Sequence, residues 1–131
     1  TQGRGKTMRV LLVDDEEELV SALGERLVLR DIEAEWFTTG SAALERAESG
    51  CFDLAVLDMK MPKIGGLELR EKLLAKCPDM KFIFLTGYGS EKDFTSATAG
   101  GNTAVYLVKP VDIELLLEKM QTLFSNPRGD A

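Results

Sequence analysis

Histidine is absent from all 131 residues, so no phosphohistidine can form on them, and chemistry that needs one must draw it from another protein. Cysteine is scarce: Cys51 and Cys77 stand far apart without the CxxC spacing of a metal clip or redox motif. One suits the end of a helix and the other the approach to a strand, so both are expected to be small buried hydrophobes in a reducing compartment. No apolar run approaches the roughly 18 residues of a membrane span, and no charged-then-apolar leader opens the sequence. The expectation is a cytoplasmic protein that makes no membrane contact. Basic residues are outnumbered, 16 against 22 acids for a formal charge of -6, which excludes the broad positive footprint of a direct nucleic-acid binder.

Apolar residues make up 44% of the chain, enough for one domain to bury a core without disulfide or metal staples. Short continuous apolar runs alternate with longer periodic segments, which is the pattern of βα units. Val10 to Val13, Leu54 to Leu57, Phe82 to Leu85 and Ala104 to Val108 fit parallel strands covered on both faces. Ile32 to Phe37 instead alternates Ile32, Ala34 and Trp36 with Glu33 and Glu35, as a half-exposed edge strand does. Helices are expected where Leu19, Leu23 and Leu27 recur, over Ala42 to Glu48, over Leu67 to Lys76, over Ser90 to Ala99, and along the stripe Ile113, Leu116, Leu117, Met120, Leu123, Phe124. Asp112 and Ser90 stand where N-caps belong. Thr95, Ser96, Thr98 and the following Gly100-Gly101 make the Ser90 to Ala99 helix the weakest, and the expected most mobile, of the set. Five strands alternating with five helices through right-handed crossovers define a doubly wound α/β domain with a parallel sheet. Residues 1–7 and 125–131 have linker composition and are expected to be tails, expression remnants or the stub of a longer protein, around a domain at residues 8–124.

The stretch "RVLLVDDEEELV" runs a buried strand straight into five acids. In open α/β sheets, ligands bind outside the carboxyl ends of the strands. Those ends carry Asp14-Asp15, Asp58, Thr86 and Lys109-Pro110. Each has an ordinary alternative: Asp15 as a helix cap with Glu16 to Glu18 complementing the dipole, Asp58 and Thr86-Gly87 as turn residues, Lys109 as a solvated charge. Their joint placement is what these alternatives leave unexplained. Two carboxylates about 4 Å apart repel by roughly 4 kcal/mol at an effective dielectric of about 20, so three converging acids need a proton or a cation. Hard oxygen ligands on rigid strand ends suit Mg²⁺, which completes its octahedron with water and phosphate oxygens. An aspartate can then accept a phosphoryl group as a nucleophile, with Asp58 the central candidate, Lys109 pairing with the group and the Thr86 hydroxyl donating to it.

With "VLLVDDEEE", "FDLAVLDMKMPKIGGLEL", "IFLTGYGS" and "YLVKPVD" in this order and spacing, the chain resembles the receiver domain of bacterial two-component response regulators over about Met8 to Phe124. The resemblance, rather than the periodicity, implies the flavodoxin-like (βα)5 strand order 2-1-3-4-5. It implies Asp58 as phospho-acceptor, Asp15 as direct ligand and Asp14 as water-mediated ligand of Mg²⁺ or Mn²⁺, and the backbone carbonyl of Lys60 as a further ligand. Thr86 and Tyr106 resemble the switch pair, Lys109 the phosphate-pairing lysine, and a cis bond before Pro110 is common in the family. By the same resemblance, Lys60 and Tyr88 occupy the positions that in the family flank the path of the attacking water. A charged lysine cannot accept the water's proton and a tyrosine ring fills its space, so a long-lived phosphoryl group is expected.

The implied partners are a histidine kinase or phosphotransfer protein as donor, an output domain or partner protein, and a second copy through the face of the Ser90 to Ala99 helix and the last strand. No turnover substrate is expected, so the domain is not read as an enzyme. Gly101-Asn102 departs from the family's usual tighter, alanine-rich turn and bears on the output face.

Two other motifs carry little weight. "GRGKT" at Gly3 to Thr7 imitates a P-loop but precedes a strand instead of following one, and "RGD" at Arg128 to Asp130 is a chance match. An aspartate-nucleophile phosphohydrolase is the alternative of another class. It calls for D-x-D on one strand and usually a cap domain, where this chain has adjacent Asp14-Asp15 and no room for a cap; steady release of phosphate from simple esters separates the two. A phosphorylation-independent interaction module would fit a chain lacking the acids or the lysine, and none is missing.

Overall fold

In a computed structural model, residues 7–87 and 105–125 are described. The apolar runs form five parallel strands, β1 (Arg9–Val13), β2 (Glu33–Phe37), β3 (Leu54–Asp58), β4 (Lys81–Thr86) and β5 (Val105–Val108), in the order β2-β1-β3-β4-β5. Four helices lie within the described residues: α1 (Glu17–Val28), α2 (Gly40–Ala47), α3 (Gly66–Lys76) and α4 (Ile113–Ser125). The Ser90 to Ala99 helix, Tyr88, Gly101-Asn102, the "GRGKT" glycines and lysine, and the "RGD" tripeptide lie outside the described residues.

The period of two along a strand sorts the core into two layers. Val10, Leu12, Leu54, Val56, Ile83 and Leu85 face Val20, Leu23 and Leu27 of α1 and Leu116 and Met120 of α4. Leu11, Val13, Ala55, Leu57 and Phe84 face Ala43 and Ala47 of α2 and Leu69 and Leu73 of α3. Central β1 and β3 are sealed on both sides, which is why their sequences are continuously apolar. Each fully buried leucine contributes roughly 1.5–3 kcal/mol.

β2 is the edge strand its alternation predicts, and its two faces are more specialised than that pattern suggests. Trp36 lies across Gly24 in the middle of α1, where an added Cβ would come within 2.8 Å of the indole Cδ1. On the other face, Glu35 accepts two hydrogen bonds from Arg46, at 2.7 and 2.8 Å. That guanidinium lies 5.1 Å from the centre of the Phe52 ring, and Arg9 approaches the same ring at 5.0 Å. The Asp112 carboxylate accepts from the Glu114 N–H at 3.0 Å and caps α4 as expected.

The expectation for the cysteines is overturned. Cys51 and Cys77 form a disulfide with a Cα–Cα distance of 5.8 Å, and Cys51 is exposed rather than buried. Neither is the free buried thiol that reading required. Their separation of 26 residues in sequence hides the reason. A crossover helix runs antiparallel to its strand, so the residue entering β3 and the residue leaving α3 meet at the same sheet edge.

Candidate functional site

The site is built at the opposite edge, where β1, β3, β4 and β5 end. Asp14 directly follows the sealed β1 and is 1% exposed; Asp58 closes β3 and is 5% exposed. Burial of such carboxylates is costly unless they are hydrogen-bonded or paired. Asp14 Oδ1 accepts the Glu16 N–H at 2.9 Å, and Asp58 Oδ1 accepts the Lys60 N–H at 3.4 Å. Asp15 is exposed and does not cap α1: Glu16 is the N-cap residue and makes no side-chain cap bond.

Glycine brings the next wall close. Gly66, the first residue of α3, donates its N–H to the Met59 carbonyl at 3.0 Å. A Cβ at Gly66 would lie 2.5 Å from the Asp58 carbonyl oxygen, so the approach of α3 to the end of β3 requires glycine.

Lys109 reaches into this edge from the residue after β5. Its Nζ lies 2.8 Å from Glu16 Oε1, 2.9 Å from Asp14 Oδ2 and 3.5 Å from Asp58 Oδ1, and its side chain is only 17% exposed. The solvated-charge alternative for Lys109 is thereby excluded. Burial opposes its charge, yet the hydrogen bond to Glu16 and the close carboxylates of Asp14 and Asp58 raise its pKa above the ordinary lysine value. Asp58 is pushed up to about 7, first by burial and then by the charge of Asp14, while Lys109 and the Lys60 N–H pull the other way. The Lys109–Pro110 peptide bond is cis, as the resemblance implies.

Asp14, Asp15 and Asp58 each offer an oxygen, and the three lie within 4.8 Å of one another. Asp14 Oδ2 is buried and has no aligned hydrogen bond among the described residues, its 2.9 Å contact with Lys109 being an ion pair only. Three hard carboxylate oxygens, one of them with lone pairs to spare, fit a small divalent cation.

Thr86 is buried at the end of β4, and its carbonyl accepts the Lys109 N–H at 2.8 Å. Tyr106 on β5 stacks on Phe84 with ring centres 5.3 Å apart, and burial raises its pKa. Phe84 and Thr86 share parity along β4, and Tyr106 pairs in register with Phe84, so threonine and tyrosine stand on one face of the sheet. Lys60 is exposed, and its N–H donates to Asp58 Oδ1. Glu16, expected only to complement the helix dipole, also faces this cluster. Its pairing with Lys109 spans 93 residues, and the one signal for it is an acid immediately after the Asp14-Asp15 pair.

This fold with this acidic edge defines a receiver-type domain. The family profile described as "Response regulator receiver domain" matches residues 10–121, and the chain belongs to that family. Among curated relatives, response regulator RppA of Synechocystis is 32% identical over 118 residues, covering 88% of this chain and 50% of that protein. Response regulator MprA of Mycobacterium avium is 32% identical over 126 residues, covering 95% and 55%. The chain thus spans about half the length of these relatives. A crystallised CheY-like response regulator receiver domain protein from Methanospirillum hungatei superposes with a TM-score of 0.83 at 32% identity, covering 96% of this chain and all of that one. No helix among the described residues is long and apolar enough to cross a membrane.

Proposed function

We propose that this receiver domain accepts one phosphoryl group on Asp58 from the phosphohistidine of a histidine kinase or phosphotransfer protein, and from small acyl phosphates. The observation that carries the reading is the placement of Lys109 between Asp14 and Asp58, at 2.9 and 3.5 Å, beside an acidic trio able to hold a cation. In the transfer an Asp58 carboxylate oxygen forms a bond to phosphorus while the donor's P–N bond, or P–O bond in an acyl phosphate, breaks with its electron pair leaving on the donor. The nucleophile must be ionised: the Asp14 charge works against that and Lys109 works for it. Lys109 then pairs with a phosphoryl oxygen, and the Thr86 hydroxyl donates to another.

Asp14, Asp15, Asp58 and the Lys60 carbonyl would hold Mg²⁺ or Mn²⁺, which when bound neutralises charge on the transferring oxygens. The gain of about two negative charges draws Thr86 inward and lets Tyr106 follow, changing the face around β5 that an output domain, a partner protein or a second copy reads. Lys60 and Tyr88 shield the phosphoryl group from water and lengthen its life. No other substrate is turned over.

Intact-mass analysis after incubation with acetyl phosphate tests the reading. One phosphoryl adduct is expected on the wild type with Mg²⁺, and none with chelator or on Asp58→Asn. An equal adduct on Asp58→Asn contradicts the assignment.

A further inference from the structure

The shortest contact of Lys109 is with Glu16, a residue outside the acceptor and cation groups. An ammonium has three N–H donors, and here three carboxylates surround it: Glu16 at 2.8 Å, Asp14 at 2.9 Å and Asp58 at 3.5 Å. Asp58, the group Lys109 is to serve, holds the longest of the three contacts. The partners also differ in freedom: the Asp14 and Asp58 side chains are 1% and 7% exposed, whereas that of Glu16 is 60% exposed. Glu16 is therefore the partner able to swing into water and release the lysine. Its backbone is held beside Lys109 by the hydrogen bond from its N–H to Asp14 Oδ1.

We infer that Glu16 is a latch on Lys109, a positioning residue whose carboxylate competes with the incoming phosphoryl group for the ammonium. The inference rests on Asp58 being the phospho-acceptor and adds a control on how readily it is loaded. During uptake from acetyl phosphate an Asp58 oxygen bonds to phosphorus and acetate departs with the electrons of the broken P–O bond. Lys109 transfers no proton; it exchanges the Glu16 carboxylate for a phosphoryl oxygen. The exchange is set against the donor's binding, so the latch acts on the donor concentration needed for half-maximal rate more than on the rate at saturation.

Uptake followed by intact mass against acetyl phosphate concentration, with saturating Mg²⁺, tests this in four proteins. Glu16→Gln removes the charge that holds Lys109. Glu16→Asp keeps the charge, but a shorter carboxylate at an N-cap turns to the helix N–H groups and leaves the lysine. Both are expected to lower the half-saturating donor concentration by about two- to fivefold, the scale of one solvent-accessible ion pair. Glu17→Gln makes the same charge change one residue on, without a Lys109 contact, and is expected to match the wild type. Half-saturation unchanged in Glu16→Gln, unchanged in Glu16→Asp, or lowered equally in Glu17→Gln overturns the latch while Asp58 labelling stands. A wild type that takes no label overturns the acceptor reading and the latch together.

Discussion

The two edges of the sheet solve opposite problems. At the edge where the strands begin, the partners come from the protein itself: Arg46 meets Glu35, the Arg9 backbone N–H donates to Asp53 at 2.9 Å, and Cys51 is bonded to Cys77. At the edge where they end, Asp14, Asp15 and Asp58 crowd together around half-buried Lys109, and burial with the charge of Asp14 pushes Asp58 up to about 7. One edge draws its partners from within the protein. The other is stable only to the extent that a lysine, a proton or an added cation offsets its repulsion, and that incompleteness suits it to a ligand.

Breaking the edge where the strands begin should have the largest effect on stability. Closing a loop across 26 residues restricts the unfolded chain by about 3.5 kcal/mol in the loop-entropy account. Cys51→Ser with Cys77→Ser, or a reducing agent, should lower the denaturant midpoint accordingly and leave phosphoryl uptake at Asp58 nearly unchanged. A parallel loss of uptake would show that the two edges are not independent.

Crowding the open edge comes next. Gly66→Ala places a Cβ 2.5 Å from the Asp58 carbonyl, where only backbone movement relieves it. A loss of about 1–3 kcal/mol is expected from denaturant unfolding, as for other overpacked sites. Because the displaced atom belongs to the proposed acceptor residue, uptake should fall with stability. Loss of stability with normal uptake would mean that α3 yields rather than β3.

The pH dependences of the two edges should have opposite signs. Burial and the charge of Asp14 push the folded pKa of Asp58 from the ordinary aspartate range up to about 7, so the folded chain binds the proton more tightly than the unfolded one. Its contribution is fully present at acid pH and is lost as pH rises from about 4 to about 7. Asp58→Asn should flatten that slope in metal-free protein and stabilise it by about 1–2 kcal/mol at neutral pH, as expected when a buried like-charge contact is removed. Glu35 is held below its ordinary value by its hydrogen bond from Arg46, so its contribution is present above the unfolded pKa and lost as pH falls. Solvent screens that pair, and Glu35→Gln should give the smallest effect of the four, confined to acid pH. Equal slopes for the two variants would remove the electrostatic distinction between the edges.

The middle of the sheet was legible because β1 and β3 are buried on both faces and therefore read as unbroken apolar runs, while β5, expected to be covered likewise, leaves Val108 exposed at the edge. The acidic edge was legible for a related reason: Asp14 and Asp58 follow such runs without an intervening turn, which anchors them to the sheet. The Cys51–Cys77 bond and the Glu16–Lys109 pair were not legible, because both depend on which loops meet after the crossovers pack, across 26 and 93 residues. Trp36 and Gly24 fall between these cases. The alternation along β2 marked the tryptophan for one face, and nothing in α1 announced that a glycine would make room for it.

On this reading the C-terminal edge of the sheet is left incomplete for a cation and a phosphoryl group. Equilibrium unfolding at neutral pH, with and without millimolar Mg²⁺, tests it most directly when the wild type is set beside Asp58→Asn. Saturating ligand at about 100-fold its dissociation constant stabilises a folded protein by about 2.7 kcal/mol. Mg²⁺ is expected to stabilise the wild type on that scale and the variant far less. Equal stabilisation of both, or none of either, would contradict the account.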